Sequence, residues 1–203
     1  YTRNGKYKGW EPQLLLGTDI VGKTLGLIGG GAIGSMVARR MHDGFGVKII
    51  YTDVKRNPKF EEAYKAVFKT QTQLLREADF VSLHVPLLPS TRHLINDKAL
   101  ALMKKTAYLI NTARGPVVDS AALVRALKKG KISGAGIDVF EGEPQFARRK
   151  ADADYLQHAW NVILTPHTAS ATIETRQAMG RTAAENILAF VRGKTPPNIV
   201  RRA

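Results

Sequence analysis

Short apolar runs alternate with segments of helical periodicity along most of the chain. This alternation predicts an α/β fold in which a doubly wound, mostly parallel sheet is covered by helices on both faces. The predicted strands lie near residues 24–29, 47–52, 67–68, 80–84, 107–111, 134–138 and 162–164. The predicted helices lie near residues 32–43, 60–66, 71–77, 96–103, 119–129 and 172–192.

Glycine or polar residues stand where most of the predicted strands end. The carboxyl ends of parallel strands meet at one edge of a sheet, and ligands bind in the crevice outside that edge. Distant segments of this chain therefore converge on one crevice. The residues at these strand ends are Gly29, Asp53, His84, Asn111, Asp138 and His167.

The first predicted strand runs into a glycine-rich turn that opens the first predicted helix. Gly29 lets the chain turn tightly, Gly31 has no Cβ to block a pyrophosphate, and Gly34 lets the helix pack close to the strand. The amides at the helix start, near Ala32 and Ile33, attract an anion. An ordinary turn between strand and helix is the alternative, but the complete strand–turn–helix context favours a dinucleotide site.

Asp53 lies nineteen residues after Gly34, at the end of the second predicted strand. This is the spacing of a βαβ unit that binds a dinucleotide. A carboxylate here accepts hydrogen bonds from a ribose diol and repels a 2′-phosphate, so the pattern predicts NAD rather than NADP. Lys55 and Arg56 follow closely, and they either soften this preference or belong to a solvated loop.

Two basic side chains after predicted strands suit catalysis. Arg114 follows the strand at 107–111, where a fixed guanidinium can clamp a carboxylate and polarise a neighbouring carbonyl. His167 follows the last predicted strand and can give and take a proton near neutral pH. The alternatives are an arginine that caps a loop or pairs at the surface, and a histidine that is hydrogen-bonded for structure alone.

An acidic turn contains Asp138, Glu141 and Glu143. A carboxylate beside an imidazole holds the ring in one tautomer, which helps a proton donor. The sequence leaves open which acid meets His167, and a solvent-exposed acidic turn is the alternative. A nicotinamide site, an arginine for a carboxylate and a His–acid pair together predict reduction of a 2-keto acid, or the reverse reaction.

The other histidines fit different roles. His84 ends a strand and is followed by Val85 and Pro86, which predicts a turn that lines the cofactor. Three further histidines lie in loops or near helix ends and are interpreted as structural: His42, His93 and His158.

Composition narrows the class of protein. A chain of 203 residues fits one large domain or two small ones, and its 44% hydrophobic residues are typical of a globular core. It has no cysteine, which excludes disulfides, thiolate catalysis and cysteine metal sites, and we expect no metal. We find neither a signal-peptide segment nor an apolar run that spans a bilayer, and we expect a cytoplasmic protein.

The net charge of +14 raises the question of nucleic-acid binding. The basic residues are dispersed, and the densest groups, at 148–150 and 201–202, are not interleaved with aromatic residues. A solvated surface is therefore favoured over a nucleic-acid face. A positive field would also attract an anionic cofactor and substrate.

Several long motifs stand in order along nearly the whole chain, at 22–26, 25–34, 79–87, 91–96, 111–119, 134–144 and 165–167. In these motifs the chain closely resembles the D-isomer-specific 2-hydroxyacid dehydrogenase family, especially its glyoxylate/hydroxypyruvate reductase and glycerate dehydrogenase branch. The resemblance implies a Rossmann-like coenzyme domain, NAD as the cofactor and a small 2-keto or 2-hydroxy acid as the substrate.

The resemblance also assigns roles to single residues. It implies that Arg114 binds the substrate, that His167 is the acid/base, and that Glu143 is the acid paired with it. Asp138 corresponds to the residue that meets the nicotinamide amide. The other positions that the resemblance places along the cofactor are Val85, Thr91, Thr112 and Ala113.

Two departures from the family pattern stand out. Ala169 occupies the position, two residues after His167, where the family usually has glycine. Family members begin with a substrate domain of about a hundred residues, a typical domain size, which we expect to be absent here. We divide the chain into a hinge or lead-in at 1–23, a dinucleotide-binding domain at 24–192 and a return segment at 193–203.

This division bears on activity and assembly. We do not expect catalysis by this chain alone, because closure of two domains positions the substrate and excludes water. The nucleotide domain forms the dimer interface in the family, so the resemblance implies a homodimer. An alternative of another class is an NAD(H)-sensing binding protein of the corepressor kind, since those proteins keep the same arginine, glutamate and histidine.

Overall fold

A seven-stranded sheet forms the centre of the computed structural model, which describes residues 1–143 and 150–199. The strands are β1 (Thr24–Ile28), β2 (Lys48–Thr52), β3 (Val67–Phe68), β4 (Phe80–Leu83), β5 (Tyr108–Asn111), β6 (Gly134–Ile137) and β7 (Val162–Leu164). The helices are α1 (Ala32–Phe45), α2 (Pro58–Tyr64), α3 (Gln71–Glu77), α4 (Asp97–Leu102), α5 (Ser120–Lys128), α6 (Lys150–His158) and α7 (Ile173–Val191).

The sheet has the strand order β3-β2-β1-β4-β5-β6-β7, and each neighbouring pair is parallel. The direction of winding reverses between β1 and β4. In sheets of this kind the reversal opens a crevice at the carboxyl ends of the strands, where ligands bind. The predicted α/β, doubly wound fold is confirmed, and the sheet is parallel throughout.

Two hydrophobic clusters cover the two faces of the sheet. Leu27 of β1 and Tyr51 of β2 belong to one cluster, whereas their neighbours Ile28 and Ile50 belong to the other. Successive side chains of a strand point to opposite faces, so this division follows directly from the pleat. Apolar residues at consecutive strand positions are therefore required on both sides.

Side-chain caps fix the starts of two helices. Asn96 Oδ1 accepts a hydrogen bond from the amide of Ala99 at 3.1 Å and caps α4. Asp119 Oδ1 accepts one from the amide of Ala122 at 3.0 Å and caps α5. Each bond satisfies an amide that has no partner within its own helix. Gly193, at a φ of 68°, follows the end of α7.

One helix, α6, was not predicted. Its sequence is rich in charged and polar residues, and the apolar positions that it buries are Ala153 and Leu156. Two buried apolar positions in a helix of nine residues are too few to give a clear helical period. The basic groups noted in the sequence lie largely beyond the described part of the chain, at 148–149 and 201–202.

The longest helix packs differently from the others. No residue of α7 is buried, and Ile187, Phe190 and Val191 expose large apolar side chains. Much of the predicted lead-in is also exposed, including Trp10 at 81%. No helix in the described ranges is both long enough and apolar enough to cross a membrane.

His84 lies directly after β4 and beside the end of β1. Its amide donates to Ile28 O at 2.8 Å, and its Nε2 lies 3.0 Å from the Ser82 hydroxyl. Burial disfavours the charged imidazolium and lowers the pKa of His84 from 6.5 to about 4. The folded protein therefore holds this ring neutral at pH values where an unfolded chain would protonate it.

This burial makes part of the stability depend on pH. Between pH 6.5 and about 4 the unfolded chain binds a proton at His84 that the folded chain does not, so stability falls as the pH falls. We expect the unfolding free energy to lose on the order of 2 kcal/mol from this group over that interval. Urea unfolding at several pH values measures the slope, which His84→Gln should reduce. His158→Gln, at an exposed histidine, should leave the slope unchanged; equal slopes in wild type and His84→Gln would contradict the prediction.

Candidate active site

The glycine turn joins β1 to α1 with little space to spare. Gly29 has a φ of 101°, and a Cβ on it would lie 2.7 Å from the carbonyl oxygen of His84. A Cβ on Gly34 would collide with the carbonyl oxygen of Gly29. Glycine is therefore required at both positions, first for backbone conformation and then for the close approach of helix and strand.

Gly31 stands in a different environment. A Cβ on this residue would meet no described atom within 4 Å, so the turn faces open space at that point. Gly31 is also the N-cap of α1 and offers no side chain to the helix amides. The first amides of a helix lack partners within the helix and carry partial positive charge. The start of α1, at Ala32 and Ile33, therefore faces this open space with its hydrogen-bond donors.

Asp53 lies beside this turn, after the end of β2. Its Oδ2 accepts a hydrogen bond from the amide of Gly30 at 2.8 Å, and its Oδ1 accepts one from the amide of Val54 at 2.7 Å. These bonds fix the carboxylate near the start of α1. Each oxygen retains lone-pair capacity for a further donor.

The loop after β4 is closed by one side chain. The Thr91 hydroxyl donates to Pro86 O at 2.6 Å and accepts from the amide of Leu88 at 2.8 Å. The loop that contains Val85, Pro86 and Thr91 is thereby held in one compact turn.

The loop after β5 is held by Asn111, which is buried. Its Oδ1 accepts from the amide of Ala113 at 3.0 Å, and its Nδ2 donates to Arg114 O at 3.1 Å. These bonds position Thr112, Ala113 and Arg114. The sequence predicts Asn111 at a strand end but does not identify it as a site residue.

Glu143 is the acid that lies within hydrogen-bond distance of His167. The distance between His167 Nδ1 and Glu143 Oε2 is 2.9 Å, and Glu143 Oε1 accepts from the amide of Phe140 at 2.8 Å. The His167 side chain is half exposed. With Nδ1 engaged by the carboxylate, Nε2 is the ring atom left for another partner.

Asp138 holds the loop that carries His167. Its main-chain oxygen accepts from the amide of His167 at 2.9 Å, and its carboxylate accepts from Thr168 N at 2.8 Å and Ala169 N at 2.9 Å. The Thr165 hydroxyl donates to the same carboxylate. Burial would raise the pKa of Asp138, but these hydrogen bonds outweigh burial and hold it below its usual range.

This support has a conformational purpose. His167 has a φ of 55°, a left-handed conformation that is uncommon for a residue with a Cβ. The hydrogen bonds that Asp138 accepts hold that backbone in place. Contact of Asp138 with the nicotinamide amide stays a prediction.

Glu141 is buried and engaged elsewhere. Its Oε1 lies 3.0 Å from Arg92 Nη2 and 3.0 Å from His93 Nε2. These contacts join the loop after β4 to the loop after β6. The sequence does not reveal that Glu141 contacts Arg92 and His93, because these partners lie 49 and 48 residues before it in the chain.

Arg114 shares a cavity with the His–Glu pair. A cavity of about 200 Å³ is lined by Arg114, Phe140, Glu143 and His167 among others. Arg114 Nη1 donates to the carbonyl oxygen of Ala113 at 2.6 Å, which bends the side chain back along its own loop. The structure thus brings the three residues predicted to be catalytic to one cavity.

A second cavity links the glycine turn to the His167 loop. It has about 460 Å³ and is lined by Ala32 and Ile33 from the start of α1 and by Ala169. A further cavity of about 720 Å³ lies around the amino ends of β1 and β2, and it includes none of the predicted site residues. Within residues 1–143 and 150–199, no group of three or more His, Cys, Asp or Glu side chains could hold a metal ion.

Comparisons with known proteins agree with this architecture. A model described as "D-isomer specific 2-hydroxyacid dehydrogenase, NAD binding domain" matches residues 1–169. The glyoxylate reductase of Korarchaeum cryptofilum is 50% identical over 201 residues, which cover 98% of this chain and 59% of that protein. The glyoxylate reductase of Thermococcus litoralis is 47% identical over a matched region that covers 100% of this chain and 60% of that protein.

Solved structures give the same result. The D-lactate dehydrogenase of Lactobacillus jensenii with NAD+ has a TM-score of 0.87 and 38% identity, covering 99% of this chain and 62% of that one. The Aquifex aeolicus D-lactate dehydrogenase, complexed with NAD and lactic acid, has a TM-score of 0.86 and 37% identity. The matched region covers 95% of this chain and 60% of that structure's chain.

The chain thus spans about three fifths of the length of these relatives. The family match extends over most of the 203 residues, and the fold and the glycine turn agree with it. The resemblance stated from the motifs and the prediction of NAD are confirmed. The chain belongs to the D-isomer specific 2-hydroxyacid dehydrogenase family, in its NAD binding domain.

Proposed function

We propose that this chain is the coenzyme-binding part of an NAD-dependent reductase of small 2-keto acids such as glyoxylate or hydroxypyruvate. The observation that carries the proposal is the single cavity lined by Arg114, Glu143 and His167 at the carboxyl edge of the sheet. The relatives named glyoxylate reductase support this substrate class. About two fifths of their length has no counterpart in this chain, and we propose that it supplies further contacts to the substrate.

The residues around the glycine turn fit the coenzyme. We assign the pyrophosphate to the open space at Gly31, where the amides of α1 donate, and the adenosine ribose to the Asp53 carboxylate. When bound, NADH supplies the hydride that reduces the carbonyl carbon. The other residues assigned to the coenzyme are Gly29, Ala32, Ile33, Gly34, Val85, Pro86, Thr91, Thr112, Ala113 and Asp138.

The remaining residues bind the substrate and move a proton. The guanidinium of Arg114 would hold the substrate carboxylate and place the keto oxygen near His167. Glu143 keeps the Nδ1 side of the imidazole engaged, so Nε2 is the atom that gives its proton to the substrate oxygen. In the reverse direction the same atom accepts the proton.

We also propose a homodimer and a cytoplasmic location. Apolar side chains exposed on α7 support the dimer, since Phe190 and Val191 are 73% and 74% exposed in the single chain. The absence of cysteine is compatible with the reducing cytoplasm.

Sedimentation velocity should show a particle of about twice the chain mass; a monomer over the whole accessible concentration range would contradict the dimer.

Two glycines of the turn should separate stability from coenzyme binding. Gly31→Ala places a methyl group in the space assigned to the pyrophosphate, and we expect NADH affinity to fall by tenfold or more with stability changed by less than about 1 kcal/mol. Gly34→Ala forces its Cβ against Gly29 O and should destabilise the fold by about 1–3 kcal/mol. Calorimetric titration and urea unfolding measure the two effects.

Gly44→Ala in the same helix is the matched control. Its Cβ would meet no described atom within 4 Å, so NADH affinity should stay constant while the helix gains about 0.5–1 kcal/mol. Unchanged NADH affinity in Gly31→Ala would contradict the assignment of the pyrophosphate to this site.

The proton-transfer assignment is tested in the whole enzyme. We expect His167→Gln to lower kcat for glyoxylate by about 10²–10⁴-fold while NADH affinity stays within about twofold. Glu143→Gln should lower kcat less, because it loosens the ring without removing it. His158→Gln, at an exposed histidine that bonds within its own helix, serves as the control. Near-normal turnover by His167→Gln would refute the role, and NADH binding without turnover by wild type would favour the sensor.

A further inference from the structure

The loop between β2 and α2 carries cations close to the predicted ribose site. Lys55 and Arg56 stand two and three positions after Asp53. In dinucleotide-binding folds a nearby arginine accommodates the 2′-phosphate of NADP, whereas an acidic residue binds the 2′-hydroxyl of NAD. This chain contains both kinds of residue within four positions, so Asp53 alone does not set the charge near the predicted ribose site.

The structure engages Arg56 with another acid. Arg56 Nε donates to Glu61 Oε1 at 3.0 Å, and Arg56 Nη2 donates to Glu61 Oε2 at 2.6 Å. This is the two-pronged geometry in which a guanidinium binds a carboxylate most strongly. A guanidinium with both prongs on Glu61 has less capacity left for a phosphate.

Glu61 is itself held in place from the sheet. The hydroxyl of Tyr51 donates to Glu61 Oε1 at 2.7 Å and accepts from the amide of Asn57 at 2.7 Å. Tyr51 is fully buried in β2, and Asn57 caps α2. The acceptor of Arg56 is thus fixed by the core of the fold rather than by a mobile surface side chain.

The charges of the pair reinforce each other. The hydrogen bond to Glu61 raises the pKa of Arg56, and the bonds from Arg56 and Tyr51 lower the pKa of Glu61. Both groups are therefore charged at neutral pH and largely cancel each other's field. Most isolated surface ion pairs contribute little, but the two-pronged contact and the Tyr51 bond set this pair apart.

We propose that Glu61 is a determinant of coenzyme selectivity, because it keeps Arg56 paired and withholds its guanidinium from a 2′-phosphate. The inference rests on the proposed function of Asp53 as the ribose-binding residue. Selectivity for NAD then has two components. Asp53 repels the phosphate, and Glu61 engages Arg56, one of the two cations that would attract it.

Removal of the Glu61 carboxylate tests this role. Calorimetric titration of the chain with NADH and with NADPH gives both dissociation constants for each variant. We expect Glu61→Ala to tighten NADPH binding by about tenfold, the size of one hydrogen bond to a charged group, and to leave NADH within about twofold. The gain should shrink with added salt. Glu61→Gln keeps an acceptor for Tyr51 and should change NADPH affinity in the same direction, which guards against a folding defect in the alanine variant.

Two further variants identify the cause. Adding Arg56→Gln to Glu61→Ala should abolish the gain, since the freed guanidinium is then missing. Glu62→Ala removes the same charge from the next, exposed position of α2 and should leave NADPH affinity unchanged. A gain in Glu62→Ala of the same size would mean that general charge, not Arg56, is responsible, and the proposal would be wrong.

The remaining outcomes distinguish the role of Glu61 from the proposed coenzyme site. NADH binding by wild type together with unchanged NADPH affinity in Glu61→Ala and Glu61→Gln overturns the role of Glu61 and leaves the coenzyme site intact. If both variants are less stable but keep the ratio of NADPH to NADH affinity, the role of Glu61 in selectivity is also overturned. The ion pair would then only fasten the loop to α2. Failure of wild type to bind NADH overturns the coenzyme site and this inference with it.

Discussion

The contact between the start of α1 and the end of β1 is the constraint on which the site depends. A side chain at Gly34 would push the helix away from the Gly29 carbonyl. The amides of α1 would then no longer stand beside Asp53, which is itself fixed by the amide of Gly30. One close approach between two backbone segments therefore positions the free amides at the start of α1 and the acidic residue at the same time.

The side of the crevice that carries His167 and Glu143 depends on an analogous arrangement of hydrogen bonds. Asp138 uses its main-chain oxygen and its carboxylate to hold the loop of His167. Glu141 joins two other loops through Arg92 and His93. The hydrogen bonds and ion pairs of these buried acids offset the desolvation penalty that an isolated carboxylate would carry. The exposed pair of Glu143 and His167 is then carried on rigid supports.

The parts of this structure that local pattern governs were predictable from sequence. The strands, six helices, the glycine turn and Asp53 follow from periodicity and spacing over short stretches. The helix α6 was missed because Ala153 and Leu156 give too weak a period. Residue types alone did not decide which acid faces His167, nor that Asn111 and Glu141 fasten the loops, because those contacts depend on how distant strand ends meet in space. Family resemblance supplied the pairing of Glu143 with His167, which periodicity could not provide.

The left-handed backbone at His167 carries a consequence for protein engineering. Glycine or asparagine would occupy a φ of 55° at lower conformational cost than histidine. A redesign that optimises each position for thermal tolerance would therefore favour replacing this histidine early. Such a selection would discard the residue proposed to transfer the proton, so thermostabilised variants of this fold need position 167 held constant.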